Sequence, residues 1–129
     1  MIAPAGRRAG RRQALFLLYQ WDLTGQELAS LYEGEPDEFA RALADVVSSK
    51  AGALDLRITQ SSPEWPADRL GTLERNILRI GVYELEEGTV PHEVAINEAV
   101  VLAKRYASED AARLVNGILG RVAREEDVA

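Results

Sequence analysis

The chain contains no cysteine, a single histidine and a single methionine in its 129 residues, and aromatic side chains make up only 6% of it. Without cysteine there is no disulfide scaffold and no thiolate metal site, and the composition fits a reducing compartment. With only His92 available, the usual pairings of nucleophile and imidazole base lack material. Glu93 and Glu98 make no familiar metal-ligand spacing with it. Long hydrophobic runs are also missing. Arg7, Arg8, Arg11 and Arg12 ahead of the apolar residues 14–19 have the outline of a secretion signal, but Gln20 and Asp22 interrupt it early. No stretch approaches the length of a membrane span. The expectation is a soluble cytoplasmic protein that is not an enzyme and carries no cofactor or metal.

The composition that remains is that of one globular domain over residues 1–129, 47% hydrophobic and 28% charged. Its net charge of −6 is unevenly spread. Residues 1–12 hold four arginines and no acid. Residues 13–103 hold six basic and sixteen acidic side chains, and residues 104–129 hold five of each. A basic end suits phosphates, and an acidic body suits a basic protein.

Apolar spacing is helical throughout, and no segment alternates over a strand's length. Ala14, Leu17, Leu18 and Trp21 form a stripe in a first helix over about residues 7–23, closed by Gly25. A short helix follows around 27–33. Pro36 opens the next at its first position, with Asp37 and Glu38 in the first turn. Phe39, Leu43, Val46 and Val47 face the core, and helix resumes beyond Gly52 through Leu54 and Ile58. Residues 61–66, with Pro63 and Pro66, make the clearest break. Thr72 caps a helix running to about residue 87, Gly88 ends it, and Pro91 precedes a helix over 92–106. Ser108 caps the last helix, which buries Val115, Ile118, Leu119 and Val122. The fold class expected is all-α, about seven helices in two packed sub-bundles, about 7–60 and 67–126.

Some polar residues sit awkwardly in these patterns. Arg79 lies inside the apolar run 77–83, so its guanidinium needs a buried carboxylate; Glu98 is the expected partner. Asn97 and Asn116 are expected to bond to neighbouring helix ends. Glu84, Glu86 and Glu87 read as a solvated helix end. In a helix Arg7 and Arg11 fall four apart, as do Arg8 and Arg12, so the four make one band suited to phosphate.

Segments 7–23 (RRAGRRQALFLLYQWDL), 73–85 (LERNILRIGVYEL) and 96–119 (INEAVVLAKRYASEDAARLVNGIL) closely resemble, in the same order, the NusB family of transcription antitermination factors. The resemblance implies a NusB-like helical fold that pairs with the small-subunit ribosomal protein NusE. The pair binds single-stranded boxA RNA, and other Nus factors and RNA polymerase are reached indirectly. It places RNA contacts at Arg7, Arg8, Arg11 and Arg12 and at the connection bearing Lys104, Arg105, Tyr106, Asp110, Arg113 and Leu114. Tyr106 beside basic residues suits stacking on an unpaired base, whereas Asp110 repels phosphate and would restrain affinity. It gives Tyr19 and Glu74 to the protein partner. Two residues depart from the family pattern. Gly10 stands where alanine is usual, which costs roughly 1 kcal/mol of helix propensity and would leave the arginine band ordered only on RNA. Phe16 stands where glutamine is common. Some family members self-associate, so a homodimer stays open. Two other readings stay open as well: a helical protein-interaction module without RNA binding, and an accessory RNA-binding domain like that of some RNA cytosine methyltransferases.

Overall fold

In a computed structural model that describes residues 7–128, helix accounts for nearly all regular structure. Six α-helices form: α1 (Arg8–Thr24), α2 (Glu38–Ser49), α3 (Ala51–Ser61), α4 (Thr72–Glu87), α5 (His92–Tyr106) and α6 (Glu109–Val128). The short second helix expected is a 3-10 turn, Leu28–Leu31, and a second such turn, Ala67–Arg69, follows the break after α3. There is no strand among the described residues.

The boundaries follow local chemistry. Gly25 and Gly88 take the left-handed conformation, with φ of 74° and 67°, and their N–H groups close α1 and α4 onto the carbonyls of Trp21 and Glu84. Ser108 Oγ accepts from the Ala111 N–H at 2.9 Å, as the capping reading requires. Two starts differ from expectation. Asp37 is itself the cap of α2, accepting from the Ala40 N–H at 2.9 Å, so Pro36 stays outside the helix. At α4 the cap is Gly71, and Thr72 is already the first helical residue. The break between α2 and α3 falls at Lys50, ahead of Gly52.

Helix α4 is the centre of the molecule and packs against all five others. Its apolar positions Ile77, Leu78, Ile80, Val82 and Leu85 are sealed, and Gly81 has no room for a Cβ, which would meet Leu119 Cδ1 at 2.5 Å. The missing methyl lets α6 lie close. On α1 the stripe is rotated from the one expected: Ala14, Leu15 and Leu18 are fully buried, while Leu17 and Trp21 are half-buried at its edge.

Arg79 is buried as expected, but Glu98 is not its partner. Its guanidinium meets Asp55 of α3 at 2.6 and 2.7 Å and Asp22 of α1 at 3.0 Å. Asp22 also accepts from Arg75 and Asn76. Burial raises the Asp22 carboxyl, but the Arg75 hydrogen bond, the Arg79 charge and the Asn76 bond outweigh it, and the group ends below its ordinary value. Burial likewise pulls Arg79 down, and Asp55 and Asp22 more than restore it. Asn97 and Asn116 are exposed, so neither braces the bundle; the buried asparagine is Asn76.

Candidate nucleic-acid interface

The arginine band divides. Successive residues of a helix point about 100° apart, so the Arg7/Arg11 pair and the Arg8/Arg12 pair leave α1 in different directions. Gly10 lies between them and is buried; a Cβ there would meet the Phe39 ring of α2 at 2.6 Å. The close approach brings Phe39 under the guanidinium groups of Arg7, 4.7 Å from the ring centre, and Arg11, 5.6 Å away. Gly10 therefore has a packing role within α1, which runs from Arg8.

Arg11 is no surface residue. Its side chain is 2% exposed and is held by Glu84 of α4 at 2.7, 3.0 and 3.1 Å. A second carboxylate, Glu98 of α5, lies 3.7 Å from its Nη1. This corrects two expectations together: the Arg11 guanidinium is turned into the bundle and not set in an exposed band, and Glu84 is not part of a solvated helix end. Glu86 does sit outside, paired with Arg57 at 2.9 Å. Each buried charge was findable. Arg11 precedes Ala14, Leu15 and Leu18 at helical spacing; Glu84 follows Ile77 and Gly81, and Glu98 falls among Ala95, Ala99 and Leu102. All three occupy core-facing positions of their helices.

Arg8 and Arg12 face α5. With Val101, Leu102, Arg105 and Tyr106 they line a groove of about 100 Å³ whose inner wall is Arg11 and Glu98. Residues from the two ends of the sequence thus meet at one site. Tyr106 is held edge-on by Phe16, with ring centres 5.1 Å apart at 80°, and the Arg105 guanidinium lies 5.6 Å from its ring. Phe16 is 41% exposed, as is Val101, so the apolar surface beside the cations is open to solvent. Lys104 is exposed at the end of the same helix. Chemically the arrangement offers guanidinium donors to phosphates and a part-exposed aromatic ring beside them.

The remaining predicted residues lie elsewhere. Arg7 turns away with Phe39 into a separate depression lined by Leu43, Val46 and Tyr83. Asp110 and Arg113 are both exposed and form an ion pair with each other within the first turns of α6. Arg113 and Leu114 border a hollow shared with Ser61, Ser62 and Ile118. Tyr19 and Glu74 are half-buried on α1 and α4, two helices joined nearby by the Arg75–Asp22 pair. His92 sits at the start of α5, 3.4 Å from Asp127. No helix of the described residues is long and apolar enough to cross a membrane.

The profile of the NusB family matches residues 8–124, nearly the whole chain. The chain belongs to the NusB family. It is 40% identical to the transcription antitermination protein NusB of Rubrobacter xylanophilus, covering 88% of this chain and 86% of that protein. It is 38% identical to the NusB of Myxococcus xanthus, over 91% and 94% of the two chains. Among solved structures it is similar to NusB in a crystal structure of the antitermination factors NusB and NusE with double-stranded RNA. That match has a TM-score of 0.81 at 31% identity, over 92% of this chain and 96% of that one. The all-helical fold of the family is the fold found here.

Proposed function

We propose that this chain is a transcription antitermination factor that joins the ribosomal protein NusE, the two together binding single-stranded boxA RNA during transcription of ribosomal RNA in the cytoplasm. Other Nus factors and RNA polymerase are then reached through that assembly. The role is one of binding and needs no chemistry at a reacting atom. One observation carries the RNA assignment: Arg8 and Arg12 of the first helix and Arg105 and Tyr106 of the fifth surround a single groove. In this reading the two expected sub-bundles, about 7–60 and 67–126, each supply half of the face. Lys104 extends it; Asp110, Arg113 and Leu114 lie apart, beyond the α5–α6 connection, and make a second RNA contact. Tyr19 and Glu74 belong to the face for the basic ribosomal partner, which the acidic body of the chain suits.

The groove is small and holds few cations, so RNA affinity of the chain alone is expected to be modest. A partner that adds its own RNA contacts raises affinity by presenting both surfaces already in register. Titration of labelled boxA RNA with and without NusE tests this. Tighter binding with NusE is expected; binding no tighter with it would refute the composite site.

A further inference from the structure

The groove wall contains a carboxylate, an unexpected group on a surface built for phosphate. Glu98 of α5 is buried, its side chain only 7% exposed, yet both its oxygens accept from Arg8 Nε, at 3.0 and 3.2 Å. The Arg8 side chain is otherwise 63% exposed. On its inner side Glu98 lies 3.7 Å from Arg11, which is itself held by Glu84 at 2.7 Å. Charges of alternating sign therefore run Glu84, Arg11, Glu98, Arg8, from the central helix out to the rim of the groove. Two carboxylates in the interior cannot both be offset by Arg11 alone, so the second one calls on the surface arginine.

An exposed arginine ordinarily samples many rotamers and loses that freedom on binding. Here the Nε edge of Arg8 is already spent on Glu98. That contact fixes the plane of the guanidinium and leaves the two terminal nitrogens, which can grip a phosphate side by side. We propose that Glu98 is a positioning residue for RNA binding: it holds Arg8 in its phosphate-gripping orientation and stays bonded to it when RNA is bound. The inference rests on the RNA-binding reading of the groove given above. Glu98 itself touches no RNA, since it is covered by the side chain it positions.

The test is a double-mutant cycle with labelled boxA RNA and NusE present throughout, comparing the native chain, Glu98→Gln, Arg8→Ala and the double variant. With Arg8 present, Glu98→Gln is expected to weaken binding roughly three- to tenfold. In the Arg8→Ala background the same substitution should cost nothing, because there is nothing left to position. A purely structural Glu98 would weaken binding equally in both backgrounds, and a carboxylate that merely competes with phosphate would make Glu98→Gln bind more tightly; either result overturns the proposal. If Arg8→Ala alone left affinity unchanged, the failure would be of the RNA-face reading itself. A second measurement needs no variant. In the ¹⁵N-labelled native protein the Arg8 Nε–H signal should exchange slowly with water and persist on adding RNA. Its loss on RNA binding would show that Arg8 leaves Glu98, and would overturn the proposal.

Discussion

Two arginines are sealed into this bundle, and their surroundings end differently. Arg79 is 5% exposed and meets Asp55 and Asp22, with Arg75 and Asn76 completing a cluster that ties α1, α3 and α4 together. Its most exposed member is the Asp55 carboxylate, at 30%, with Arg75 and Asp22 both at 17%. Arg11 is 1% exposed and meets Glu84 and Glu98, tying α1 to α4 and α5, but its chain of charges continues outward to Arg8. The chemistry of the two clusters is the same. What differs is the most exposed group: the Asp55 carboxylate at one, and at the other the Arg8 guanidinium, 63% exposed. A base at the rim can meet a phosphate, so on the proposed RNA-binding reading the second cluster is both clamp and support for that face, while the first is a clamp alone.

That comparison can be broken at either side. The largest effect is expected from Arg79→Leu, which strands Asp55 and leaves Asp22 to Arg75 and Asn76. Removing one partner of a buried pair costs about 3 kcal/mol where the abandoned acid is partly wet, as Asp55 is. Denaturant unfolding should show that loss, while RNA affinity, measured well below the melting transition, stays at the native level. A drop in RNA affinity without a loss of stability would invert the assignment of the two clusters. Phe16→Gln should act in the opposite sense and more weakly. The exposed Phe16 ring supports Tyr106 at the groove, so its loss should weaken RNA binding by roughly 1 kcal/mol. Stability and salt dependence should not change, since no charge is removed. An unaltered RNA affinity would exclude the aromatic pair from the binding face.

Much of this was legible in the order of residues. The ends of α4 and α5 follow from Gly88 and Pro91, and the buried state of Arg79 follows from the apolar run around it. Its partner was not legible. Asp22 and Asp55 lie at the edges of their helices, where each reads as an ordinary solvated acid, and only the crossing of α1 and α3 over α4 turns them inward. Spacing offers Glu98 as the partner of Arg79, but the bases that answer it are Arg8, 90 residues away, and Arg11, both on α1. Spacing alone makes the four arginines one band, because it gives neighbours on a helix and not the direction each faces. Gly10 supplied the missing direction: as a weak helix former it suggests disorder, whereas its missing methyl admits Phe39 and draws Arg7 and Arg11 to that side.

On the proposed RNA-binding reading this division sends Arg8 and Arg12, and not Arg7, to RNA. The salt dependence of boxA binding reads it directly. Each phosphate neutralised on a single strand contributes about 0.7 to the slope of log affinity against log salt. Arg8→Ala with Arg12→Ala should flatten that slope by about 1.4, and Arg7→Ala should leave it at the native value. Equal flattening by Arg7→Ala, or none by the Arg8 and Arg12 substitutions, would contradict the account.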